Sequence, residues 1–315
     1  MVGGRVLKPK IPIFDTIGHG FYFGLTRYFS LLKITWVPAL IAGSILIFET
    51  ATQLIAANGG LKHSHHLPDY VQLIGWIPFY ALLSIPGVAA YRMAVFGRKA
   101  PSGIAYFRFG GTELQFMAAQ LVTTVYMIIY VVLALAIVVP LALLAYYLFV
   151  QDSSTGAALS TASAFGPSEA LTWRMRIGSG AVVFFLALSA FGAILFSFVQ
   201  PIVVVEHRIG VWKSLRLLWF GNAMRLAVVW SIVGVTFAFL SAVIVSVLDN
   251  FGPRILYTLM PNFDQKNVTH LVFGWSVLIL VPTLLLGTLV LGVTAGVNGY
   301  AYRKIALQPK REPAQ

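Results

Sequence analysis

Six long apolar stretches, nearly free of charge, dominate the chain: Leu31–Ala57, Val71–Tyr91, Leu114–Val150, Ile177–Val205, Leu226–Leu248 and Leu271–Tyr302. Each has the length a helix needs to cross about 30 Å of hydrocarbon. Their apolar residues run together rather than alternating with polar ones, so the strands of a transmembrane barrel are excluded. The pattern predicts an all-α integral membrane protein with six transmembrane helices. Only 10% of the 315 residues are charged, against roughly 25% in soluble domains. The spans use most of the length, which leaves no room for a separate soluble catalytic domain of about 100 residues. Residues 1–315 are therefore expected to form one membrane domain ending in a polar tail, 306–315. With no cysteine, disulfides, thiolate catalysis and Cys-based metal sites are excluded.

The basic residues predict an orientation. Seventeen of the 22 Lys and Arg residues fall in the N-terminal segment, the second and fourth loops and the C-terminal segment; only Lys62, Arg174, Arg176, Arg254 and Lys266 fall on the other side. The positive-inside rule then places both termini in the cytoplasm, with an even number of spans between them. The expected location is a bacterial inner membrane. The net charge of +12 belongs to the cytoplasmic face, suited to anionic lipid headgroups, and does not call for nucleic acid. No cleavable signal precedes the first span, which is expected to act as an uncleaved anchor.

Before each odd-numbered span lies a segment too polar to cross the bilayer and too apolar to be a free loop. Ile13, Phe14, Ile17, Phe21, Leu25 and Tyr28 recur near helical spacing, with Asp15, His19 and Thr26 between them, as in an amphipathic helix at the interface. The same design returns over Ile104–Leu114 and Val211–Asn222. The even-numbered spans also end alike, in Tyr91-Arg92, His207-Arg208 and Tyr302-Arg303. These features predict three parallel copies of an elbow helix followed by two spans, about 11–97, 98–208 and 209–305.

The stretch from Gln200 to Trp219 places Pro201, a run of valines and Glu206 at the end of a span, followed by Ser214, Leu215 and Trp219 in the elbow. In this it resembles bacterial six-span proteins related to the membrane domain of glycerophosphodiester phosphodiesterases. The resemblance implies a membrane module without assigned chemistry, the hydrolase activity of such proteins belonging to a separate soluble domain that is missing here. No catalytic residue is carried over. This chain departs from the pattern where Trp219 runs directly into Phe-Gly-Asn.

The sequence offers few groups for chemistry. Glu49 is the one carboxylate within a span, and a charge in that position is by default a functional candidate. Its place near the outer end, about 27 Å along the helix, also allows a solvated glutamate. With Gln120 and Gln200 it would mark an intramembrane polar route. His63, His65 and His66 are the densest group of metal-ligand types, but they lack the paired spacing of a zinc site, so no metal or other cofactor is expected. Gly292 and Gly296 form G-x-x-x-G, a motif for close helix packing within the chain or in a homodimer. Phosphate loops, nucleophile elbows and H-E-x-x-H are all missing. The expectation is a noncatalytic protein that organises lipids or docks a membrane-protein partner through Arg92, Arg98, Lys99, Arg108, Arg208, Lys213 and Arg216. A transporter or lipid translocator is the alternative.

Overall fold

The computed structural model describes residues 10–57, 69–99, 106–146, 167–259 and 268–307. Among these the chain forms nine helices and no strand: α1 (Ile13–Thr26), α2 (Tyr28–Ala57), α3 (Asp69–Phe96), α4 (Gly111–Tyr146), α5 (Pro167–Phe196), α6 (Val199–Glu206), α7 (Val211–Leu217), α8 (Phe220–Leu259) and α9 (Val268–Ala306). Six stretches are long and apolar enough to cross a membrane: Tyr28–Ile45, Ile77–Phe96, Gly111–Leu144, Ala181–Glu206, Gly221–Leu256 and Leu278–Ala306. The molecule is an all-α, six-span membrane protein. Helices satisfy every backbone hydrogen bond internally, which hydrocarbon demands.

The chain divides into two compact units, one of Met1–Leu121 with Ser197–Gln315, the other Val122–Phe196. In the first, the fully buried large side chains are Ile11, Leu31, Ile34, Ile85, Tyr91, Phe116, Phe198, Ile202, Leu218, Leu226 and Tyr302. Apart from Ile11, just before α1, and Ile85, midway along the second span, they lie where odd-numbered spans begin and even-numbered spans end, so most of this core sits at the basic end. Farther along α8, Val235, Phe239 and Val243 are exposed, as suits surfaces that meet hydrocarbon. In the second unit, Gly192 lets the Tyr130 ring approach: a Cβ there would come within 2.6 Å of a ring carbon. The Tyr126 and Phe196 rings lie 5.8 Å apart.

The three expected elbows differ. α1 is a full helix, but the face it turns to the bundle is Thr16, Gly20 and Gly24, at i, i+4 and i+8. Of its large apolar stripe, Phe14 and Leu25 are exposed, while Ile13, Ile17, Phe21 and Tyr28 are half-buried and the Phe21 ring stacks on Phe237 of α8 at 6.2 Å. Small residues let backbones approach, whereas large apolar side chains are as content in lipid as in protein. The second elbow is not helical over 106–110. Helix α4 starts afresh at Gly111, because Glu113 reaches back to accept the Gly110 N–H at 3.1 Å, half of a capping box. The third elbow is broken at Leu218-Trp219, between α7 (Val211–Leu217) and α8, where an Asn222 N–H to Trp219 C=O bond turns the chain into α8.

The fourth span, expected to run unbroken from Ile177 to Val205, is interrupted at Ser197-Phe198 between α5 and α6. Pro201 supplies the reason: it has no N–H for the Ser197 carbonyl four residues earlier.

Candidate docking face and the polar node beneath it

The three even-numbered span ends converge in the first unit, and their polar groups bind one another. Tyr91 of α3 donates its hydroxyl to Gln200 Oε1 of α6 at 2.7 Å and accepts from Asn298 Nδ2 of α9 at 3.2 Å. Tyr302, one turn beyond Asn298, donates to Glu206 Oε1 at 2.8 Å. The Tyr302 ring meets Phe198 edge-on, with centroids 5.9 Å apart, and Tyr91 lies 5.9 Å from Phe116 of α4. The aromatic-basic repeat at these span ends thus builds a shared brace as well as an interfacial anchor.

Two carboxylates tie the expected docking cations into this brace. Glu206 accepts from Lys213 Nζ on Oε1 and from Arg208 Nε on Oε2 at 2.9 Å, so it joins α6, α7 and α9. Glu113, 3% exposed, lies 3.4 Å from Arg92. Around this second pair, burial and the nearby Glu113 charge raise the Tyr106 phenol above its ordinary value, with Arg92 and Arg108 opposing; it stays neutral at physiological pH. His207 closes α6 in a left-handed conformation, φ 51°, and its Nδ1 lies 3.5 Å from Thr112 Oγ1 at the start of α4.

Of the seven expected docking residues, Arg92, Arg208 and Lys213 therefore hold ion pairs. Arg98, Lys99, Arg108 and Arg216 are exposed and make no ion pair among the described residues. All but Lys99 have aromatic neighbours at the surface. The Arg98 guanidinium lies 5.3 Å from the centre of the Phe96 ring, and Arg108 sits between the exposed rings of Phe107 and Phe109. On α7, Arg216 and Trp212 are four residues apart and share the side away from the buried Val211 and Ser214; Trp212 is 77% exposed, and Trp219, just beyond the helix, is 72% exposed. Sequence reading missed Glu113 as a partner and these aromatic residues as a group. The signal was present: Asp15, Glu113, Glu206 and Glu312 are the only carboxylates on the basic side, so each was a candidate counter-ion.

The expected polar route fares differently. Gln200 is held by Tyr91 within the brace, and Gln120 is half-buried on α4. The side chain of Glu49, and the residues His63, His65 and His66, lie outside the described residues. Gly292 and Gly296 both face α1: a Cβ on Gly292 would come 3.0 Å from the Gly24 Cα, and one on Gly296 3.0 Å from the Gly20 Cα. The motif is filled by a matching G-x-x-x-G, Gly20 to Gly24, within the same chain.

Fold and site together define a multi-pass α-helical membrane protein with a braced basic end. No protein-family model, curated protein or solved structure matches the chain.

Proposed function

We propose that the protein is a noncatalytic subunit or organiser of a bacterial inner membrane, its basic end cytoplasmic, docking anionic lipid headgroups or a membrane-protein partner. The observation that carries this reading is the division of the cations. Three are spent on holding α3, α4, α6 and α7 in place, while Arg98, Lys99, Arg108 and Arg216 stand exposed, all but Lys99 with aromatic neighbours. Trp at headgroup depth beside Arg is the chemistry of an interfacial contact, and each cation near an anionic surface contributes about 1 kcal/mol. A relation to the membrane domain of glycerophosphodiester phosphodiesterases belongs to the same proposal. A second copy of the chain would have to pack on a face other than Gly292 and Gly296, since α1 covers them.

The test replaces Arg98, Lys99, Arg108 and Arg216 by Gln and measures, by native mass spectrometry after gentle extraction, the lipids and proteins retained. Retention of anionic lipid, or of a stoichiometric partner, should fall by about fivefold per charge removed, while Arg208→Gln leaves it unchanged. Equal retention by the fourfold variant would refute the reading.

The interruption of the fourth span beside Gln200 favours a second reading, a transporter or lipid translocator, because broken spans often flank substrate sites. That reading predicts altered flux in reconstituted vesicles for Glu49→Gln and Gln200→Ala. Unaltered flux in both would count against it.

A further inference from the structure

Between the bend joining α1 to α2, helix α8 and helix α9 lies an apolar cleft of about 530 Å³. We propose that it holds one acyl chain of an anionic membrane phospholipid, with the phosphate set against Arg27 at the bend.

The walls decide the class of ligand. Leu240 to Leu248 on α8 and Pro282 to Leu289 on α9 line the cleft and lie within spans, so it opens on hydrocarbon and not on water. It runs along the two helices for about 10 Å, seven or eight residues at 1.5 Å each, the direction in which lipid tails lie. Its one side-chain hydroxyl, on Tyr28, already donates to the Leu285 carbonyl at 3.2 Å. A polar solute would find no partner there, and apolar cavities stay dry. A vacant groove would forfeit dispersion contacts along its whole lining, which a linear hydrocarbon chain restores.

Charge sets the direction. Leu25, Tyr28 and Leu289 form the end nearer the basic side, and Arg27, exposed in the break between α1 and α2, lies in the chain between the lining residues Leu25 and Tyr28. At the other end a second cleft of about 430 Å³ shares Ile244, Leu248, Pro282 and Leu286 and adds Asp249. A phosphate would be repelled at the Asp249 end and attracted at the Arg27 end, where a guanidinium can donate two hydrogen bonds to it.

The experiment places the whole protein in nanodiscs containing phosphatidylglycerol with a photoactivatable diazirine on one chain, and maps the cross-linked peptides. Adducts should concentrate on 240–248 and 282–289. Leu286→Trp, which fills the cleft, should abolish them and remove one retained lipid from the native mass spectrum. Val235→Trp, on an exposed face of the same helix, should leave both unchanged. Arg27→Gln should lower the preference for phosphatidylglycerol over phosphatidylcholine about fivefold. Adducts spread evenly over the exposed faces of α4 and α8 in the unaltered protein would overturn the proposal, with no variant needed. So would adducts that survive Leu286→Trp or are lost equally in Val235→Trp. Neutralising Arg108 and Arg216, which tests the docking face, should leave the cleft adducts in place.

Discussion

Replacing Glu206 by Ala should loosen the whole basic end, and the structure says by how much. Glu206 accepts from Tyr302, Lys213 and Arg208, and the three donors differ in what they lose. The Arg208 side chain is 69% exposed and the Lys213 side chain 37%. Both can turn to water, so the pairs contribute together about 0.5–1 kcal/mol. The Tyr302 hydroxyl cannot turn away, because the residue is fully buried. A buried donor left without an acceptor costs about 1–3 kcal/mol, and the total comes to about 1.5–4 kcal/mol. Tyr302→Phe alone removes donor and bond together, so it should cost only about 0.5–1.5 kcal/mol. With Phe at 302, the further cost of Glu206→Ala should shrink to the exposed pairs. The double-mutant cycle should therefore show a coupling of about 1–3 kcal/mol. Reversible unfolding in mixed micelles measures the energies, and amide exchange over Val211–Leu217 should accelerate in Glu206→Ala, because α7 loses its tie through Lys213. A cost for Glu206→Ala below about 0.5 kcal/mol, or additive single variants, would refute the assignment of Glu206 as the joint of α6, α7 and α9.

Two further outcomes are expected. Gly296→Val should destabilise by about 1–3 kcal/mol or more, because even its Cβ would press on the Gly20 backbone at 3.0–3.1 Å; Gly234→Ala, with nothing within 4 Å, should be neutral or slightly stabilising in the same unfolding assay. Stability should also fall as pH drops below about 6.5 on account of His19. Its ring stacks on Tyr300 at 4.4 Å, and desolvation, then Arg303 and Lys304, lower its folded pKa from 6.5 against the opposing pull of Asp15. Between the lowered folded value and the unfolded one the unfolded chain binds more protons, so stability rises with pH through that window and is lost below it; His19→Gln should flatten that part of the profile.

How much of this was legible in the sequence depended on which physical rule applied. The six spans were readable because hydrocarbon requires continuous apolar helices, and the strings of Leu, Val, Ile and Phe admit no other reading. The start of α4 was not, because Ile104–Leu114 has helical spacing while its end is set by Gly110 and the reach of Glu113. The break at Ser197 was readable in principle from Pro201, but span length alone hid it. Pairings such as Tyr91 with Gln200 and Asn298, separated by 109 and 207 residues, depend on which span ends meet, and one sequence without relatives carries no direct record of that.

The α1 helix shows why the most deeply buried face need not be the most apolar one. In water, the stripe Ile13, Phe14, Ile17, Phe21, Leu25 would be the buried side, because apolar burial is what drives packing. Beside a membrane that drive vanishes, for lipid accepts Phe14 and Leu25 as readily as protein does, and the remaining gain is close backbone contact. The buried side is then whichever face is smallest, and Thr16, Gly20 and Gly24 were visible in the same fourteen residues. Gly20 and Gly24 form the same G-x-x-x-G spacing as Gly292 and Gly296, so the two motifs could have been matched to each other before any search for a second chain. The consequence reaches the basic end of the molecule. By seating α1 along α9, the glycines bring His19 onto Tyr300 and let α8 grip the chain just before α1, Arg225 donating to the Ile11 carbonyl at 3.1 Å. An elbow that would otherwise float in the interface is thereby fixed to α8 and α9.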